Sequence, residues 1–229
     1  FEIFDNGITY YILDGKATAV AYDAITADVV IPAEIAGYPV TSVKDIFKGK
    51  TALKTLKIEA NIASVANSMF SGCSNLTSIA LPESVTNIGS YAFAYCTSLT
   101  SITIPYGVKS IGDYTFYNCT SLTSITIPNS VTTIGESAFY GCTNLSEVYW
   151  GKNIKTIGKL AFSNSGLRSV ILPQGIDSIA VQAFTGCDSL KVVSIPSSVR
   201  RMHLNPYRTF DDCNDIDSVY WNAYTCPDI

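Results

Sequence analysis

Charge is scarce in this sequence. Only 15% of its 229 residues are charged, the net charge is −4, and Lys and Arg form no basic stripe. A nucleic-acid surface is built on such a stripe, so no nucleic acid is expected as a partner. Histidine occurs once, at His203, and one imidazole without a fixed partner makes no catalytic triad. No apolar run reaches the roughly 18 residues of a spanning helix, so no membrane insertion is expected of this region. Cysteines two to four residues apart, the usual basis of a zinc site, are missing. P-loop and dinucleotide fingerprints are missing too. The expectation is therefore of a chain with no enzymatic activity, no cofactor and no metal. Disorder is excluded from the other side, because 47% of the residues are hydrophobic and the mean hydropathy is +0.23. The chain opens on Phe1 without Met, which reads as a trimmed or processed piece whose targeting segment is out of view.

What is present is repetition. "CTSLTSITIP" occurs at Cys96–Pro105 and again, letter for letter, at Cys119–Pro128. A template starting at Leu99 reads L-x-x-I-x-I-P-x-x-V-x-x-I-G-x-x-A-F-x-x-C-x-x and then begins again. Its Phe recurs at Phe47, Phe70, Phe93, Phe116, Phe139, Phe162, Phe184 and Phe210, which aligns eight units. Its Leu recurs at Leu53, Leu76, Leu99, Leu122, Leu145, Leu167 and Leu190, with Ile216 standing in last. The period is twenty-three, except near the C-terminus, where one interval is a single residue shorter and one is three longer. Self-similarity at such a period means stacked supersecondary units.

"LTSITIP" alternates apolar and polar residues with the period of a strand. Its Pro ends the strand, since Pro cannot donate to a ladder. "SVTTIG" reads as a second, short extended stretch, and "ESAFYGC" as a helix of one or two turns. One unit cannot bury enough apolar surface to offset the entropy of ordering its backbone. Stacked units bury each other's faces and share hydrogen bonds.

"LTSITIPNSVTTIGESAFYGCTNL" resembles the leucine-rich repeats of the BspA-like, treponemal type. The Ile-Pro strand end, the Ile-Gly turn and the Ala-Phe-x-x-Cys segment carry the resemblance, over about residues 26–221. It implies an α/β repeat fold: a right-handed solenoid with a parallel, concave β-sheet and short strands and short helices on its other sides. It also implies a secreted or surface-attached bacterial protein engaged in adhesion or host contact. Residues 1–25 contain Asp14-Gly15 between two strand-like runs and read as a β-hairpin cap. Residues 222–229 read as an irregular end: either the cap there is irregular or the parent protein continues.

The candidate sites follow from the template. Cys73, Cys96, Cys119, Cys142, Cys187 and Cys213 share one position, read as small apolar filling in preference to redox chemistry. Ser165 replaces the thiol in one unit, and Cys226 lies off the ladder. The third and fifth positions point out of the sheet. In the middle units they are the hydroxyls of Ser101, Thr103, Ser124 and Thr126. Toward the C-terminus they are Glu147 and Tyr149, Ser169 and Ile171, Val192 and Ser194, then Ser218 and Tyr220. This half is the candidate binding face for an extracellular or host protein or a glycan, because Tyr is favoured at interface hot spots. The alternative is a solvated sheet face on a structural spacer or scaffold of a larger surface protein. A third candidate is the irregular segment from Arg200 to Asp217, with Arg201, Arg208, His203 and the acids Asp211, Asp212, Asp215 and Asp217. It lacks the Gly and closing Glu of a calcium loop and reads as a solvated insertion with local charge pairing. The domain is expected to be monomeric.

Overall fold

The computed structural model describes residues 1–202 and 206–221. His203, Cys226 and the end segment 222–229 lie outside the described residues. Three antiparallel strands open the chain: β1 (Glu2–Asp5), β2 (Ile8–Leu13) and β3 (Lys16–Tyr22). The turn between β2 and β3 is Asp14-Gly15, both with positive φ, as a tight hairpin demands. After β4 (Asp28–Ile31) and β5 (Glu34–Ile35) comes β6 (Tyr38–Val43), which pairs parallel with β3. The hairpin is thereby tied to the start of the column. Its inward residues Ile8, Tyr10, Ala17 and Ala19 are fully buried.

From β4 onward the chain is a β-solenoid of stacked parallel strands. The "LxxIxI" segments form three ladders along one side. β4 pairs with Thr55–Ile58, which pairs with Ser78–Ala80. Ser124–Thr126 pairs with Glu147–Tyr149. Ser169–Ile171 pairs with Val192–Ile195, which pairs with Ser218–Trp221. A second side holds one unbroken ladder of seven two-residue strands, from Ser64–Val65 to Arg201–Met202. Those strands end on the Ile, or its equivalent, of the "xxIG" segment.

The two breaks in the first side have different origins. One lies between Glu147–Tyr149 and Ser169–Ile171, in the unit from Leu145 to Leu167 that is one residue short. The other falls on the first verbatim copy. Residues 101–103 join no strand although the identical residues of the second copy, Ser124–Thr126, do. The backbone bonds there are long: Thr100 donates to Thr77 at 3.4 Å and Thr123 to Thr100 at 3.3 Å, against 2.8 Å for Thr77 to Lys54. The units are drawn apart at that level.

The third side corrects an expectation. The segments around each Phe are runs of tight turns, and among the described residues the only helix is a single 3₁₀ turn at Pro206–Thr209. Helix is prevented at two recurring slots. The residue two before Phe70, Phe93, Phe116, Phe139, Phe162 and Phe184 has positive φ (Ser68, Tyr91, Tyr114, Ser137, Leu160 and Gln182). So does the residue two after each Phe: Gly49, Gly72, Tyr95, Asn118, Gly141, Asn164, Gly186 and Asp212. Gly, Asn and Asp are the residues that tolerate the left-handed region, so the second slot is written in the sequence. Backbone N–H groups that a helix would use internally are aimed at the next unit instead. Tyr91, Phe93 and Tyr95 donate to the carbonyls of Asp113, Thr115 and Tyr117 at 2.7–3.0 Å.

The interior is layered by template position. The Phe rings form one continuous stack from Phe47 to Phe210, with centroids 4.9–5.6 Å apart. Tyr22 of β3 lies against Phe47 at 5.3 Å, so the opening sheet continues the stack. The cysteines have a role beyond filling. Each thiol donates to the Phe carbonyl of the preceding unit: Cys73 to Phe47, Cys96 to Phe70, Cys119 to Phe93, Cys142 to Phe116, Cys187 to Phe162 and Cys213 to Phe184, at 3.0–3.2 Å. Most of these carbonyls already accept a backbone N–H within their own turn, as Phe70 does from Cys73, and the thiol of the next unit adds a second donor. Ser165 instead meets the thiol of Cys187 at 3.3 Å.

The ring stack and the thiols can each be tested by unfolding. Phe116→Ala should cost about 3–5 kcal/mol in urea unfolding, because a full ring is removed from a close-packed stack. Phe210→Ala, only partly buried at the end of the stack, should cost less than half as much; equal costs would show that the stack is not what holds the units. The thiols should set an alkaline limit. Burial raises the Cys73 thiol to about 11 and Cys142 to about 12, and raises Cys96 and Cys119 as well. A raised thiol stabilises the fold below the unfolded value near 9 and loses that contribution as pH climbs toward the folded value. Under reducing conditions the melting temperature should hold up to about pH 9 and then fall. In Cys73→Ala/Cys142→Ala the alkaline fall should be shallower, and an unchanged slope would rule the thiols out.

Candidate functional site

The strand side carries the outward positions of the template. Their side chains alternate with buried Leu56, Ile79, Ile125, Val170 and Val193, so parity sets which ones face out, except in Ser218–Trp221 at the end of the column, where Val219 of the inward row is as exposed as Tyr220. Glu147 and Tyr149 are exposed and stand beside Ser124 and Thr126. The Tyr149 hydroxyl donates to Glu147 Oε2 at 2.7 Å. That bond, with the carboxylate charge, raises the tyrosine above its ordinary value. In the last ladder the register sets Ile171, Ser194 and Tyr220 in one row and Ser169, Val192 and Ser218 in another. Ile171 and Tyr220 are exposed by 59% and 57%; Val192, Ser194 and Ser218 are half-buried. The structure thus brings six of the eight candidates into one three-stranded ladder. It leaves Glu147 and Tyr149 in the ladder before it.

The same side has a feature that sequence did not single out. A shallow groove of about 300 Å³ lies over β4, Thr55–Ile58 and Ser78–Ala80, at the other end of the column. Register aligns Val30, Lys57 and Ala80 in its outer row. Ala80 stands there as a methyl beside longer neighbours, which opens the depression. Asp28 accepts from the Thr55 hydroxyl at 2.7 Å, and Lys57 pairs with Glu59 at 2.6 Å.

Nothing at either end, among the described residues, points to a catalytic activity. Among the described residues no group of three or more His, Cys, Asp and Glu could hold a metal ion. The acids of the irregular C-terminal unit are spread out: Asp215 pairs with Lys191 of the preceding unit at 3.1 Å. Arg201 lies 3.9 Å from Asp177, again across units rather than within the segment. What the face offers is hydroxyls, a phenol–carboxylate pair and exposed apolar side chains, a set suited to binding.

A second group of aromatic side chains was also missed. Tyr91, Tyr95, Tyr114, Tyr117 and Tyr140 touch one another on the turn side of the column. Their spacing carried the signal, since Tyr91 to Tyr114 and Tyr117 to Tyr140 are both one full repeat.

Comparison with known proteins agrees with this architecture. The family described as BspA type leucine rich repeat region matches in six copies, over residues 43–166 and 109–225. A leucine-rich repeat protein from Bacteroides ovatus has a similar structure, with a TM-score of 0.63 at 22% identity over 97% of this chain and 72% of that one. The leucine-rich repeat protein of T. pallidum gives a TM-score of 0.56 at 28% identity, over 84% of this chain and 81% of that one. A leucine rich cell surface protein from Faecalibacterium prausnitzii gives 0.52 at 21% identity, over 96% and 94%. No curated protein matches the sequence. No helix among the described residues is long and apolar enough to cross a membrane. With the recurring Leu-Ile-Pro-Phe-Cys template, the parallel ladders and a match over most of its length, this chain belongs to the BspA type leucine-rich-repeat family.

Proposed function

We propose that this chain is a non-catalytic recognition and adhesion module, acting as a monomer outside or on a bacterial cell. It binds an extracellular or host protein, or a glycan, through the C-terminal half of its strand face. The observation that carries this is exposure. Tyr149, Ile171 and Tyr220 are each more than half exposed, at positions where the units before them place Lys57, Ala80, Thr103 and Thr126. Large apolar side chains on an ordered, flat strand surface are stabilised by a partner, not by the fold beneath them. The likeness to a cell surface protein of Faecalibacterium prausnitzii supports the location.

A spacer or scaffold role is the second reading, and the uninterrupted Phe stack and seven-strand ladder favour it. The two readings part in one experiment. The purified domain is screened against immobilised extracellular matrix proteins and a glycan array. Tyr149→Ser/Tyr220→Ser should weaken the bound partner about tenfold or more, with little change in melting temperature. A domain that binds nothing, or a partner indifferent to that double change, would leave the spacer standing.

A further inference from the structure

We infer that the turn side of the column carries a second binding surface, a tyrosine cluster that takes a Lys- or Arg-bearing segment of a partner protein. Tyr91 and Tyr114 stack at 4.6 Å with planes 2° apart, and Tyr117 and Tyr140 at 5.0 Å with planes 8° apart. Tyr95 meets Tyr117 edge-on at 5.4 Å, and Tyr114 meets Tyr117 at 5.7 Å, so the five rings form one contiguous patch. It lies on the segments around Phe93, Phe116 and Phe139, away from the strand face.

The fold does not ask for these rings. Tyr95 occupies the left-handed slot that other units fill with Gly, Asn or Asp, and it does so at φ +61°. Tyr91 and Tyr114, at +58° and +56°, hold a slot that is left-handed in other units as well, at Ser68, Ser137, Leu160 and Gln182, so the unusual backbone of the cluster is that of Tyr95. A bulky aromatic in this region is an outlier whose backbone cost must be offset elsewhere. Burial does not offset it, since Tyr91 is 41% and Tyr95 48% exposed. Strain of this kind, held at a surface cluster, points to a binding role.

Charge and geometry choose the occupant. The three segments 90–97, 113–120 and 136–143 contain Asp113 and Glu136 and no Lys or Arg. Glu136 Oε1 accepts from the Tyr114 hydroxyl at 3.1 Å, and Asp113 Oδ1 from the Glu136 backbone at 2.8 Å. Among the described residues the second oxygen of each carboxylate has no partner. The stacked rings cover much of one another's faces, so edges and hydroxyl oxygens are what remain for a ligand. Sugar stacking needs open faces. Guanidinium and ammonium groups need acceptor oxygens, and the free carboxylate oxygens of Asp113 and Glu136 and the tyrosine hydroxyls supply them.

The test uses the full chain and a fluorescent nona-arginine peptide, with nona-glutamate and a neutral glycan array alongside. Arginine peptide should bind and the acidic peptide should not. Tyr95→Asn, which restores an ordinary slot residue, should weaken binding about threefold while the melting temperature holds or rises. Tyr95→Asn/Tyr140→Ser, and separately Asp113→Asn/Glu136→Gln, should weaken it about tenfold. Tyr149→Ser/Tyr220→Ser should leave it unchanged, which separates this surface from the strand face. Absence of binding would overturn the proposal. So would an equal loss in Glu34→Gln/Asp45→Asn, which removes two remote exposed carboxylates and would reduce the effect to net charge. Glycan signals lost in the tyrosine variants, with none from the arginine peptide, would give the surface to sugars and overturn it as well.

Discussion

One constraint governs this molecule: a ring in each unit must meet the ring of the next at close to the spacing of neighbouring strands. Strands in a ladder lie about 4.8 Å apart, and the Phe rings stack at 4.9–5.6 Å. The match lets backbone hydrogen bonds and aromatic contacts form together along the column. It also explains why the period is held constant through most of the chain. A unit of another length must absorb the difference somewhere. The short unit does so by breaking the strand ladder beside it, while the rings on either side of the deletion, Phe162 and Phe184, stay stacked.

Around that constraint the polar groups sort themselves by side. Strand carbonyls meet N–H groups arriving from the following unit, as Thr77 does for Lys54. On the turn side the direction reverses, and Phe93 donates forward to Thr115. Hydroxyls reinforce the ladder at one template position, where Thr77, Thr100 and Thr123 reach the carbonyl one unit back at 3.1–3.4 Å. The thiols reach further back, to the Phe of the preceding unit, and so lock the turn side to the ring stack. Little polar backbone is then left to bind a ligand, and recognition falls to side chains that point away from the column.

Much of this was legible in the sequence. Alternation in "LTSITIP" assigned each side chain to a face, and its Pro marked the strand end, because both follow from local geometry. The helix expected at "ESAFYGC" is absent because a few letters outweigh the propensity of the whole segment. Gly141, like Asn118 and Gly186, marks a left-handed residue that no helix admits. The thiol bonds were not legible, since they join residues distant in sequence through a turn whose shape was itself unknown. Identical letters could not reveal that the strand of one verbatim copy lies open while the other is paired. The outward row from Glu147 to Tyr220 could be named because parity is enough. The tyrosine patch was legible only in part: the one-repeat spacing of Tyr91 with Tyr114 and of Tyr117 with Tyr140 pairs those rings, but the contacts of Tyr95 and Tyr114 with Tyr117 exist only once the turn segments are stacked.

The verbatim copies have a further consequence, at the level of the gene. Two identical ten-residue stretches, exactly one period apart, are aligned in frame by construction. Recombination between them adds or removes one whole unit. The product keeps a Leu, an Ile-Pro, a Phe and a Cys at every level, so each ring and thiol finds the neighbour it needs. Reach is thereby adjustable in single steps, without redesign of the interior, and the tyrosine patch, which spans both copies, gains or loses the Tyr114–Tyr117 row with it.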